Sequence, residues 1–347
     1  MKSFKIENFL FNKTSRPYLI AEVSSNHMGS LDQILRLIKK IKESGADAVK
    51  LQTYNEDTMT INSNKKEFII KDGIWKNYNL YKLYSEAKTP WSWYDKIFKY
   101  CKKLKITCFS TPFDETSVDF LERYNVPAYK IASYEAIDLP LIRYVAKKKK
   151  PIIISTGMAN FEEISRAIKT IKKTGNHKII VLHCVSKYPS KHSDYNLLTM
   201  QEIAKKFSVY VGLSDHTEGS ITSIVSSGLG AKVIEKHVKL KDDNKSHDSK
   251  FSFSVNDLKK LSKTIKNAWE CRGIIDFKKK NERDQIKFRR SIYVTEDIKK
   301  NQKLTKQNIK RIRPGLGLNP IYYDKILGKK VNKNLKFGTP LKLKYIL

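Results

Sequence analysis

Residues 212–237 read GLSDHTEGSITSIVSSGLGAKVIEKH. A strand end carries Asp215 and His216, a helical stretch follows, and a second strand pattern ends in His237. Two imidazoles at matching ends of consecutive parallel strands point at one small volume, which is what a divalent metal or a reacting carbonyl requires. Without that pairing, the same residues are a helix cap and a loop. The rest of the chain decides between the two.

Working outward, the same unit recurs. Short β-branched runs stand at 17–22 (PYLIAE), 46–52 (ADAVKLQ), 106–110 (ITCFS), 127–133 (PAYKIAS), 151–156 (PIIIST), 178–184 (KIIVLHC), 209–214 (VYVGLS) and 231–237 (AKVIEKH). Helical patterns lie between and after them, at 31–44, 91–103, 115–124, 139–146, 161–173, 196–206 and 255–268; in the first, Ile34, Leu35, Leu37, Ile38 and Ile41 share a face. Eight strand–helix repeats with strands apolar on both sides predict an α/β fold, a (β/α)8 TIM barrel over residues 1–270. No GxGxxG opens the first helix, which argues against an open dinucleotide-binding sheet. Residues 53–90 are too long for a bare loop and fall at the face where barrel enzymes place substrate-binding insertions. The pattern then changes: 271–288 is a charged linker, and 289–347 is a small, strand-rich, turn-punctuated unit with 16 basic and 3 acidic residues. About 60 residues make a marginal domain without a partner surface, so it is expected to dock on a barrel.

Composition narrows the class. No apolar run approaches the about 20 residues of a membrane span, and the first 20 residues lack the pattern of a signal peptide. A cytoplasmic protein with no membrane partner is expected. Cys101, Cys108, Cys184 and Cys271 have neither zinc-site nor disulfide-framework spacing and read as reduced thiols. The net charge of +33 comes mostly from lysines spread along the chain, without an arginine–aromatic cluster. It therefore reads as a bias toward Lys, Asn and Ile, with no nucleic-acid partner, although the field favours anionic substrates.

In a barrel of this kind the C-terminal strand ends carry the chemistry. Here every one is polar: Glu22; Lys50 and Gln52; Ser110 and Thr111; Lys130, Ser133 and Glu135; Ser155 and Thr156; His183, Ser186 and Tyr188; Asp215 and His216; Glu235, Lys236 and His237. Serine and threonine at such places also serve as helix caps. Lys50 and Lys130 are different, because each sits among apolar neighbours where an ammonium needs an anion. A phosphate or carboxylate ligand is expected there rather than an internal ion pair.

The fragments IAEVSSNHMGS, GADAVKLQTY, STPFD, YKIAS, ISTGM, GLSDHT and IEKH, in this order, resemble the sialic acid synthase family across the whole barrel, and RRSIYV, IRPGLGL and LGKK resemble its C-terminal antifreeze-like (SAF) domain. The resemblance implies condensation of phosphoenolpyruvate with an open-chain amino sugar, giving a nine-carbon 2-keto acid and phosphate. It implies a divalent metal, Mn²⁺ with Mg²⁺ or Co²⁺ as substitutes, on His216 and His237. Lys50, Thr111, Lys130, Ser133, Ser155 and Ser214 match positions that hold phosphoenolpyruvate. Glu22, Gln52, Tyr188 and Asp248 match positions facing the sugar, with Glu22 a proton carrier, and Glu135 matches a carboxylate near the reacting atoms. Arg313 matches the arginine sent into the partner's active site in a domain-swapped homodimer. Ser186 stands where N-acetylneuraminate-forming members carry Asn, so the sugar contacts differ. The stretches TYNEDTMT, LYSEAKTPWSW, HDSKFS and RPGLGLNPIYY resemble the branch that takes a 6-deoxy-2,4-diacetamido altrose. The alternatives are the branches that make legionaminic or N-acetylneuraminic acid and, outside enzymes, a basic anion-binding protein on an inactive barrel.

Overall fold

A hairpin of β1 (Phe4–Ile6) and β2 (Phe9–Phe11) precedes eight parallel strands: β3 (Tyr18–Glu22), β4 (Ala48–Thr53), β5 (Thr107–Pro112), β6 (Tyr129–Ile131), β7 (Ile152–Ser155), β8 (Ile179–Cys184), β9 (Tyr210–Asp215) and β10 (Val233–Lys239). Each pairs with the next, and β10 pairs with both β9 and β3, so the sheet closes on itself as an eight-stranded barrel. This is the TIM-type barrel expected from the repeats. The computed structural model describes residues 1–277 and 280–347 in two compact units, Met1–Gly273 and Ile274–Leu347.

Local chemistry explains the helices that wrap the barrel. Helix Leu31–Glu43 buries Ile34, Leu37, Ile38 and Ile41, one stripe of a 3.6-residue period, and Ser30 caps it by accepting from the Gln33 amide. Helix Phe161–Lys173 opens with a capping box between Asn160 and Glu163. The last helix of the unit runs from Val255 to Arg272.

Two features were not legible in the sequence pattern. The β1–β2 hairpin packs Phe4 edge-on to Tyr210 and Phe11 tilted against Tyr18, at the starts of β9 and β3, and so plugs the N-terminal mouth of the barrel. The 53–90 insertion contains helix Leu80–Ala87, capped by Asn79, and its ends are tied by an ion pair between Lys88 and Glu56.

In the second unit β12 (Ser291–Val294) pairs antiparallel with β13 (Ile309–Ile312), β11 being the short strand Phe253–Ser254 beside β10. Isolated bridges such as Ile298 with Leu335 and Lys303 with Lys330 complete it, so it is less regular than the strand-rich unit expected. Ile292, Val294, Ile298, Leu304, Ile309 and Leu341 form its core. Of the expected linker, residues 271 and 272 finish the preceding helix and Lys280–Phe288 form 3-10 turns, while residues 278 and 279 lie outside the described residues. Among the described residues no helix is long and apolar enough to cross a membrane.

Candidate active site

Side chains alternate along a strand, so every second residue of each barrel strand points into the lumen. Glu22 on β3, Lys50 on β4, Lys130 on β6 and Glu235 on β10 all do so, and all are buried. Lys50 Nζ pairs with Glu22 and stands 3.7 Å from Glu235 Oε1, and Lys130 Nζ stands 3.4 Å from that same oxygen. This corrects the expectation that the two lysines lack an internal partner: two carboxylates already balance two ammoniums. Glu235 was missed as a site residue, yet it lies two places before His237 on one strand, and the period of two puts both on the same face.

The balance is uneven. Burial disfavours charge on all four groups. At Lys50 the attraction of Glu22 and Glu235 outweighs it and the pKa rises; at Lys130 burial wins and the pKa falls. Burial likewise wins at Glu22, which rises, while the two lysines win at Glu235, which falls.

Hydroxyls surround the ammoniums. Lys50 donates to Thr111 Oγ1 at 3.0 Å, Lys130 donates to Ser155 Oγ at 2.7 Å, and Ser214 Oγ donates to Glu235 at 3.3 Å. Ser133 Oγ accepts from the Gly157 amide at 3.1 Å and lies 3.4 Å from Cys184 Sγ, which is 3.9 Å from Ser186 Oγ. A Cβ on Gly157 would fall 2.0 Å from Ser186 Oγ, so only glycine lets these loops approach. Gln52, one residue before the end of β4, is in register with Thr111. Glu135, on the turn after β6, has a buried Oε2 with no hydrogen-bond partner, and burial pushes its carboxyl up to about 7.

Further along the same axis are the imidazoles. His216 and His237 have ring centroids 5.4 Å apart, with the Tyr188 ring tilted against His216 at 4.4 Å and Phe251 edge-on to His237 at 4.9 Å. His216 Nδ1 is 2.9 Å from Val185 O, which makes Nδ1 the donor and leaves Nε2 a free lone pair. His237 Nδ1 is buried with no hydrogen-bond partner, and burial and its cationic neighbours hold the ring well below the ordinary imidazole range. Asp248 Oδ2 lies 3.8 Å from that nitrogen, and the Asp248 amide is held by Ser25 Oγ. At His216 burial is outweighed by the neighbouring Cys184 and the ring's pKa rises, so a divalent ion held by His216 and His237 would take the place of its Nε2 proton. Among the described residues no third His, Cys, Asp or Glu groups with them, so water or a substrate oxygen has room in the shell.

Not every charge in the opening stretch belongs to this site. Lys236 Nζ is 3.0 Å from Asp215 Oδ2, and Asp215 also accepts from Ser223 Oγ and Thr217 Oγ1. That pair faces outward and locks β9 and β10 to helix Ile221–Gly228. Arg313 lies in the second unit and is exposed. The barrel thus joins Glu22, Lys50, Thr111, Lys130, Ser133, Ser155, Ser186, Tyr188, Ser214, His216, His237 and Asp248 in one contact network, with Gln52 and Glu135 on its margin.

The chain is similar to known proteins. A sequence model of the NeuB family matches residues 37–276, and one of the SAF domain matches residues 289–346. A pseudaminic acid synthase of Campylobacter jejuni is 43% identical, covering 96% of this chain and 97% of that protein. An N,N'-diacetyllegionaminic acid synthase of Legionella pneumophila is 34% identical over 95% of this chain and 94% of that protein. Among solved structures, N-acetylneuraminic acid synthetase from Leptospira borgpetersenii superposes with a TM-score of 0.74 at 27% identity, covering 82% of this chain and 95% of that one. With the family model spanning most of the barrel and a relative at 43% identity along nearly the whole length, the chain belongs to the NeuB family.

Proposed function

We propose that the chain catalyses the pseudaminic acid synthase reaction: phosphoenolpyruvate, 2,4-diacetamido-2,4,6-trideoxy-altrose and water give pseudaminic acid and phosphate. The observation that carries the chemistry is the stacking of a buried Lys50–Lys130 pair and its hydroxyls beneath the His216–His237 pair. The similarity to the Campylobacter protein supports the choice of sugar.

In this reading Lys50, Lys130, Thr111, Ser133, Ser155 and Ser214 bind the phosphate and carboxylate of phosphoenolpyruvate, exchanging Glu22 and Glu235 for the substrate anion. Gln52, Tyr188, Ser186 and Asp248 orient the acceptor. C3 of phosphoenolpyruvate attacks the aldehyde carbon, forming the new C–C bond and leaving a cation at C2. Glu22, whose carboxyl burial raises above the usual range, relays a proton to the oxygen that was the aldehyde's. Water adds at C2, Glu135 takes its proton, and phosphate leaves by C–O cleavage. His216 and His237 would hold a divalent ion, Mn²⁺ foremost with Mg²⁺ or Co²⁺ as substitutes, which supplies Lewis-acid polarisation of the carbonyl.

The reading includes a cytoplasmic setting, consistent with four free cysteines, and a domain-swapped homodimer in which Arg313 enters the partner's site. Exposed Tyr134, Ile137, Met158 and Phe161 after β6 and β7, and exposed Leu316 near Arg313, are apolar surface for such an interface. The test is incubation with Mn²⁺, phosphoenolpyruvate and a panel of acetamido sugars, following phosphate release and product mass. A product from N-acetylmannosamine or a legionaminic-type acceptor alone would reassign the sugar; none from any acceptor would sink the reading.

A further inference from the structure

Beyond Tyr188 and Phe251 the aromatic surface continues onto the insertion. The Trp75 ring lies 5.8 Å from Tyr188 and 6.1 Å from Phe251. Its indole N–H donates to His247 O at 3.1 Å, in the loop that carries Asp248 and Phe251. Glu86, at the far end of the same insertion, lies 3.1 Å from His247 Nε2, so the insertion is tied to that loop twice. Trp75 is half-buried, held by its edge, and joined to the histidine pair through Tyr188 and Phe251.

Distance along the acceptor assigns the wall. An open-chain sugar whose aldehyde faces the two histidines has its C2 substituent one carbon away, beside Tyr188 and Phe251. The substituents further along the chain reach the next ring out, which is Trp75. We propose that Trp75 is a specificity-determining residue that selects the acceptor by its second acetamido group, at C4. A planar acetamido with an apolar methyl stacks on an indole face, whereas a hydroxyl in that place loses water and finds no hydrogen-bond partner on the ring. An apolar contact of that size discriminates by roughly 10- to 200-fold. The inference rests on the acceptor class proposed above.

The test compares two acceptors, the 2,4-diacetamido-2,4,6-trideoxy hexose and N-acetylmannosamine, in wild type, Trp75→Ala and Trp75→Phe. The wild-type preference for the diacetamido sugar in kcat/KM should fall at least about tenfold in Trp75→Ala. The loss should lie in the acceptor KM, with kcat and the KM for phosphoenolpyruvate retained, and Trp75→Phe should recover part of it. In intact wild type the diacetamido sugar should change tryptophan fluorescence, and Trp75→Phe should lose that change; this keeps the proposal open to refutation even if the alanine variant folds poorly. A preference that survives Trp75→Ala, or a fluorescence change that survives Trp75→Phe, overturns the role of Trp75. Wild type that turns over neither acceptor would remove the acceptor class, and this inference with it.

Discussion

Lys130 Nζ lies 3.4 Å from Glu235 Oε1, an oxygen that also faces Lys50 at 3.7 Å. Removing that carboxylate leaves two buried ammoniums sharing Glu22 alone, and breaking a buried pair in this way costs about 3–5 kcal/mol. Glu235→Gln should therefore melt at a lower temperature than wild type, and added phosphate should raise its melting point more than it raises that of wild type. Equal shifts in both would show that the quartet is not the anion site.

The His216–His237 pair makes a separate prediction. Chelator-treated wild type should lose activity and regain it with Mn²⁺, while His237→Ala should bind no stoichiometric metal and lose turnover by about 10³ or more. Binding of a generic polyanion should be unaffected in the variant. Residual turnover in a metal-free His237→Ala sample would rule out the two-histidine site.

Glu135 sets a pH dependence with a definite sign. Burial brings its carboxyl to about 7, so it is mostly protonated at pH 6 and ionised at pH 8. As the group that accepts a proton from water, it makes kcat/KM climb with pH across that interval, and Glu135→Gln should give a low, flat profile there. Stability runs the other way. Between the unfolded carboxyl's value, about 4.3, and about 7 the native state holds a proton that the unfolded chain has released, so stability falls as pH rises through this window. Melting curves of Glu135→Gln should lack that fall.

Gly157→Ala places a methyl 2.0 Å from Ser186 Oγ and 2.9 Å from Ser133 Oγ. The serines must move, at a cost of about 1–3 kcal/mol, and the KM for phosphoenolpyruvate should rise about tenfold or more. An unchanged KM would remove Ser133 from the phosphoenolpyruvate contacts.

The swapped dimer is testable by complementation. Arg313→Ala and His237→Ala should each be inactive alone. Co-expressed, half the dimers are mixed and each mixed dimer holds one intact site, so activity should return to about a quarter of wild type. No recovery would show that Arg313 acts within its own chain or not at all.

Much of this site was legible because strand ends in a barrel are fixed by periodicity. The eight runs from PYLIAE to AKVIEKH by themselves put Lys50, Lys130, His216 and His237 at one face. The ion pairing of those lysines was not legible, because β10 neighbours β3 only once the sheet closes, bringing Glu235 across to them. Asp215 and Lys236 illustrate the reverse: they sit in the same motifs as the histidines, yet the strand's alternation turns them outward. Trp75 carried no signal at all, since an irregular insertion has no period from which to read its direction.

The aromatic plug formed by β1 and β2 covers the N-terminal end of the barrel lumen, opposite the strand ends that carry the site. Glu235 lies two residues, about 6.6 Å, below His237 on β10, so in the proposed reading the phosphoenolpyruvate seat is the back of a blind corridor and the sugar seat stands in front of it. Whoever sits at the back must arrive first. Under the proposed function, phosphoenolpyruvate binds before the acceptor, excess acceptor bars the corridor to it, and the new nine-carbon product has to step aside before phosphate from the deep seat can walk out.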